Sequence, residues 1–272
     1  MDISDQLLLI LQEYDEDSKR FAAKLLCLLC YEEKIKNEVT NLDGIQVLLS
    51  LLHSHNNSEI LWNVIWCLVQ LSAYDDNKRE IRLMGGIPLI LSILCDKNLD
   101  SQLESPATND PTANPVKHSQ FTNDAESIHN EKRSKARLQI QAACCALVGE
   151  LAFNETNSYQ IVNSNGVYLV ASKLLLSQLY NGSSETKASS NETERNKEIE
   201  RLHCNVWRTL RLLFSAERHR SLIKKLIPFN MFEQFVDIGN FKKDLKVYQP
   251  LVESFYKLNV ILLCFTMVLY LL

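Results

Sequence analysis

Few side chains in this chain stand at spacings that chemistry uses, and each has a packing explanation beside it. Cys27-x-x-Cys30 places two thiols on one helix face, the spacing of a redox pair or half a zinc site. A zinc site needs a second such pair or an H-x3-H partner. Neither occurs, and the motif is embedded in the apolar run FAAKLLCLLC, so core packing is expected. The six histidines, His53, His55, His118, His129, His203 and His219, show no ligand spacing on a shared helix face. His53-Ser-His55 follows a helix in a polar turn, where solvated side chains are expected. There is no nucleophile elbow, no HExxH and no paired catalytic carboxylates, and neither GxGxxG nor GxxxxGK appears. No catalytic, cofactor-binding or metal-ligating residue is expected. Aromatic recognition is the chemistry left: Trp62 and Trp66 lie one helical turn apart, and Trp207 stands far downstream. Two such rings can line a groove for a partner peptide. Trp62 is expected in the core, whereas for Trp66 groove and core weigh about equally. Ser105-Pro106 is a minimal proline-directed phosphorylation site.

The elements that must position these residues are helices. Seven glycines and six prolines in 272 residues are well under half the roughly 12% of a typical chain. Sheets, tight turns and phosphate loops depend on those residues. The net charge of −4 carries no basic stripe of the kind a nucleic-acid surface shows. Internal repetition is the strongest organising signal. DGIQVLLSLL at 43–52 recurs as GGIPLILSIL at 85–94 and as NGVYLVASKL at 165–174, which aligns Gly44, Gly86 and Gly166. The gaps are 42 and 80 residues. Residues 96–135 hold 8 apolar residues in 40, with Pro106, Pro111 and Pro115. Such a segment buries too little to offset chain entropy and is expected as a disordered insertion. Residues 181–197, whose one apolar residue is Ala188, are expected to interrupt the next unit in the same way.

Each unit reads as a short helix after the glycine (45–52, 87–94, 167–176), a longer apolar helix (58–73, 138–153) and a polar helix leading to the next turn (77–84, 157–164). Asn57 or Ser58, with Glu59, is expected to cap one long helix, and Asp15 another. A last unit begins at Glu198, with Pro228 where the glycine would stand. A period near 42 with three helices per unit is the armadillo signature. The expected fold is all-α, an armadillo-type right-handed solenoid of four to five repeats, some incomplete, over residues 1–255. No polar capping repeat opens the chain, so a piece of something longer is expected.

Armadillo arrays hold extended peptides or helices on the concave face lined by the long helices. The nuclear-import receptors resemble this chain in fold, and their ladder pairs a Trp with an Asn four residues on. Trp66 and Gln70 occupy those places in one unit. Their equivalents are Lys24 and Leu28, Ala146 and Glu150, and Arg208 and Leu212. One matched rung disfavours a receptor for basic import signals. It leaves Trp62, Trp66, Gln70, Glu150 and Arg208 as the residues expected to meet a protein or peptide partner, with no small-molecule substrate.

The acidic N-terminus lacks a signal peptide's basic region and cleavage site. The cysteines fall inside apolar runs, as reduced core thiols do. The N-x-Ser/Thr sequons at Asn56, Asn154, Asn181 and Asn191 therefore carry no weight, and a cytoplasmic location is expected, with the nucleus or ciliary base as alternatives. Residues 258–272, LNVILLCFTMVLYLL, are the most hydrophobic stretch. As a helix they reach about 22 Å, short of the roughly 30 Å core of a bilayer. A buried final helix or the end of a truncated product is expected over 256–272, ahead of a membrane anchor.

The segments LLLILQEYDEDSKR, GIQVLLSLLHS, LWNVIWCLVQ, EIRLMGGI, LQIQAACCAL, NETNSYQIVNSNGVY and RTLRLLFSAERHRSLIKKLIPFNMFEQFVDIG together resemble an armadillo region of the NIMA-related (never-in-mitosis) serine/threonine kinases. The likeness runs in order from about Leu7 to Leu251, broken at the two insertions, where the family member also loops out. It lies in turn residues as well as leucines. In that family member the armadillo region precedes a kinase domain. This chain has no Gly-rich loop, VAIK lysine, HRD or DFG, and Asp237-Ile238-Gly239 merely closes a helix. No catalytic residue carries over. The resemblance implies a non-catalytic regulatory or scaffolding module of a kinase tied to cell-cycle and ciliary processes. The alternatives are an N-terminal part of the kinase itself and an adaptor tethered by the tail.

Overall fold

The computed structural model describes residues 2–54, 57–95, 121–181, 190–216 and 219, with side chains given for these except 121–131, 174–181, 190–193 and 214–215. Among the described residues there are eleven helices and no strand. Pro228, Ser105-Pro106, the hydrophobic tail 256–272 and most of both expected insertions lie outside the described residues.

The repeat is visible in the helix boundaries themselves. Helices α3 (Glu33–Asn41), α6 (Asp75–Leu83) and α9 (Glu155–Asn163) are each nine residues long and are displaced by 42 and then 80 positions. Helices α4 (Gly44–Ser54), α7 (Gly86–Cys95) and α10 (Gly166–Asn181) start at the same offsets. Helices α2 (Glu16–Leu29) and α5 (Ser58–Leu71) have fourteen residues each. Helix α8 (Phe121–Leu151) ends in the same register. Helices α1 (Ile3–Glu13) and α11 (Ser190–Ser215) complete the set.

Local chemistry starts these helices. Asn57 accepts hydrogen bonds from the amides of Glu59 (3.0 Å) and Ile60 (3.2 Å), and Asn154 repeats this with Thr156 and Asn157. Asp15 accepts from the Ser18 amide at 3.0 Å. That amide, and then the Ser18 hydroxyl, hold the Asp15 carboxyl below its ordinary pKa. Each such cap contributes about 1 kcal/mol.

The turn between the polar helix and the next helix has two separate requirements. Asp43, Gly85 and Asn165 adopt left-handed φ values of 55°, 77° and 61°, a conformation that Gly, Asn and Asp reach at least cost. The aligned glycines Gly44, Gly86 and Gly166 come one residue later, as the first residue of α4, α7 and α10. Their role is close approach. A Cβ on Gly86 would lie 2.6 Å from Ile81 Cγ2 and 2.8 Å from the Ile81 carbonyl oxygen. On Gly44 it would run into the Val39 side chain and lie 2.6 Å from that residue's carbonyl oxygen. Val39, Ile81 and Ile161 are equivalent positions and all are buried, as are Ile45, Ile87 and Val167, and Leu48, Ile90 and Val170.

The expected disorder over 96–135 is corrected at its C-terminal end, because α8 begins at Phe121 and residues 121–135 are helical. Likewise α11 begins at Ser190, inside the expected insertion 181–197. The shortage of apolar residues there argues against burial. It does not argue against helix, since Glu, Lys, Arg, Gln and Ala are good helix formers and extend a helix already nucleated by its buried half.

The chain divides into two compact units, Met1–Cys144 and Cys145–Leu272, with the boundary inside α8. In the first, α2 packs between α1 and α5, and α4 packs against α1, α3, α5, α6 and α7. In the second, α10 packs against α9 and α11. Asn77 joins successive repeats of the first unit: its buried side-chain amide donates to the Leu71 carbonyl at 2.9 Å and to Thr40 Oγ1 at 3.0 Å. Its equivalent Asn157 is also buried.

Candidate partner-binding surface

Helix α5 buries Ile60, Leu61, Asn63, Val64, Ile65, Cys67, Leu68 and Leu71. What it leaves open is one stripe, Glu59, Trp62, Trp66, Val69 and Gln70, at the i, i+3, i+4 spacing of a single helix face. Trp62 and Trp66 are both half-buried, so the expectation that Trp62 belongs to the core is corrected. Their ring centroids stand 6.3 Å apart at 67°, an edge-to-face pair worth roughly 0.5–1.5 kcal/mol beyond burial. The Trp66 indole nitrogen is buried with no acceptor among the described residues. On α2 the positions equivalent to Trp62, Trp66 and Gln70 are Arg20, Lys24 and Leu28. Arg20 pairs with Asp17 at 3.1 Å and reaches Glu59 of α5 at 3.6 Å. The surface of the first unit is thus an aromatic step on α5 with a cationic and apolar step on α2 beside it.

In the second unit the structure brings two expected partner residues together. Arg208 of α11 donates to Glu150 Oε1 of α8 at 2.5 Å. The carboxylate is largely covered, while the guanidinium is half exposed. The pairing neutralises both, so this position offers a partner no net charge. The two helices are held close by a contact one residue on: the buried Thr209 hydroxyl donates to the Cys145 carbonyl at 2.7 Å, and a Cβ on Gly149 would lie 2.7 Å from that hydroxyl oxygen. Gly149 in the middle of an apolar helix was the available signal for this approach. Trp207 is buried.

The remaining chemistry-bearing residues serve packing. Cys27 and Cys30 lie against Cys67 of α5, all three buried. Burial, then contact with the other two thiols, raises the Cys67 pKa well above its ordinary value, while the Cys67 contact lowers that of Cys27. Burial pushes the Cys145 thiol up to about 12. Among the described residues no three His, Cys, Asp or Glu side chains are placed to hold a metal ion. His53 is exposed, at an open depression shared with Gln46, Ser50, Met84 and Leu89. The buried Ser158 hydroxyl and His219 Nε2 are 3.0 Å apart, a pair that sequence spacing could not reveal. No described helix is long and apolar enough to cross a membrane.

No family model matches the chain. It is 40% identical to the serine/threonine-protein kinase Nek10 of Mus musculus over 254 residues, 93% of this chain and 22% of that protein. It is also 40% identical to Homo sapiens Nek10 over 261 residues, 96% of this chain and 21% of that one. A Caenorhabditis elegans serine/threonine-protein kinase, D1044.8, is 27% identical over 92% of the chain and 21% of its own length. The chain therefore spans about a fifth of the relatives it matches. Two crystal structures of engineered proteins align over 94% and 93% of the chain and 98% of their own lengths, at 15% and 12% identity, with TM-scores of 0.42 and 0.43.

Proposed function

The chain is homologous to about a fifth of the Nek10 serine/threonine-protein kinases and carries no kinase signature across that stretch; from this premise we propose that it is a non-catalytic armadillo-repeat interaction module of a NIMA-type kinase. Its work is to hold a protein or peptide segment along its long helices. The observation that carries the reading is the open stripe of α5. In a helix otherwise sealed on every side, the residues left to solvent are Glu59, Trp62, Trp66, Val69 and Gln70. Large rigid rings left half open on a rigid scaffold are what binding hot spots are made of. The three-helix unit repeating at 42 and 80 positions supports the armadillo assignment. The unpaired state of the described cysteines fits a reducing, cytoplasmic setting.

The test is a pull-down with residues 1–255 and with the Trp66→Ala, Gln70→Ala variant, partners being identified by mass spectrometry. The variant should lose the partners that the parent captures while keeping its helical far-UV spectrum. Equal capture by both would overturn the groove assignment. Phosphotransfer by the isolated chain would overturn the non-catalytic reading.

A further inference from the structure

Residues of α2 and α5 related by 42 positions occupy the same place in the three-helix unit, so their burial compares directly. Cys67 of α5 turns toward α2, where its thiol meets those of Cys27 and Cys30. Asn63, one turn earlier, is also sealed. The equivalent positions on α2 are Leu25, 42% exposed, and Phe21, 65% exposed, and Leu28 extends the stripe at 61%. Helix α1 repeats the contrast: Ile3 and Leu9 are exposed, whereas Ile45 and Leu51, their equivalents on α4, are buried. The flank that α5 presents to a neighbouring helix is therefore bare on α2. Five large apolar side chains leave on the order of 500 Å² open, the scale at which a patch marks an interaction site.

We propose that this flank of α2 is a self-association surface, through which two copies of the chain pair helix against helix about a two-fold axis near Leu25. The spacing of the stripe selects the occupant. Positions 21, 25 and 28 are close to symmetric about their centre, so an antiparallel copy places its Leu28 against Phe21, its Phe21 against Leu28, and the two Leu25 side chains side by side. Such an isologous contact closes on itself at the dimer. With a polar rim it approaches the roughly 800 Å² per partner of a standard interface. The occupant also matches in kind, because the surface that covers the equivalent flank of α5 is α2 itself. This proposal is independent of partner binding at the tryptophan stripe.

The experiment is sedimentation velocity with light scattering on the full 272-residue chain, with Leu25→Glu and Leu25→Lys as exposed-site variants. The parent should pass from one chain mass to two as concentration rises. Each variant alone should weaken the dimer by more than about 30-fold, the loss expected at a central hot spot. Mixing the two variants should restore pairing, since Glu then faces Lys across the axis. A parent that stays monomeric throughout, growth beyond the dimer, or association unchanged by Leu25→Glu would each overturn the proposal. The last outcome would also separate it from any association through the apolar residues 258–272.

Discussion

If the turn has two requirements, neighbouring glycines should respond to substitution in opposite ways, and Gly85 and Gly86 provide the test. Gly85 has φ 77° and open space around a built Cβ, so strain alone opposes a side chain there. Asp43 and Asn165 meet the same strain in sister units. Gly85→Asn should therefore cost less than about 0.5 kcal/mol, and Gly85→Ala about 1 kcal/mol. Gly86 has no such strain but no room. Its Cβ would meet a fully buried side chain at 2.6 Å, a backbone carbonyl at 2.8 Å and Leu49 Cδ2 at 3.2 Å. The carbonyl cannot move without shifting α6, so overpacking of about 1–3 kcal/mol is expected. It is offset by the roughly 0.4–1 kcal/mol that Gly→Ala gains from a stiffer unfolded chain. A net loss of about 1–2 kcal/mol follows for Gly86→Ala. Because the chain has two compact units, a single unfolding midpoint is a poor readout. Hydrogen exchange of the α6 and α7 amides reports the local stability directly. A Gly86→Ala protein as protected as the parent, or a Gly85→Asn protein less protected than Gly86→Ala, would refute the division of roles.

Removing the Asn77 side chain with Asn77→Ala leaves the buried Leu71 carbonyl without that donor, and chemical denaturation should show a loss of about 1–3 kcal/mol. Glu80 is held above its ordinary pKa by burial first and by the charge of Asp43 second. A raised carboxyl favours the fold while protonated, and that contribution is lost as pH rises through the folded-state value. Glu80→Gln should therefore raise the melting temperature more at pH 7 than at pH 4, and an equal shift at both would contradict the assigned cause. A double-mutant cycle on Glu150 and Arg208 should return a coupling below about 1 kcal/mol, as expected for a half-exposed ion pair.

Much of the fold was legible because the repeat writes itself in apolar spacing. The offsets 42 and 80, read from the glycines, reappear in the boundaries of α3, α6 and α9 to the residue. Aligning on the shared glycine hid the conformational requirement one position earlier, because Asp43, Gly85 and Asn165 share a φ and not a side chain. Asn77 and Asn157 looked like solvated residues of polar helices, since spacing does not say which polar group turns inward. The helical stretch at 121–135 was missed because composition predicts burial better than it predicts backbone conformation. Trp66 and Gln70 share the open face of α5 as their spacing required. The pairing of Glu150 with Arg208 joins helices 58 residues apart and could be known only once they were docked.

The buried thiols give the molecule its own clock. At pH 7 a thiol with a pKa of about 12, as at Cys145, is ionised only about once in 10⁵ molecules, so an alkylating reagent reacts with it chiefly when the surrounding helices part. Cys27, Cys30 and Cys67 are likewise sealed in the first unit, while Cys95 is exposed and reacts at once. Timed labelling of the unaltered chain therefore reads out, site by site, how often each unit opens. A ligand that tightens one unit should slow the clocks of that unit alone.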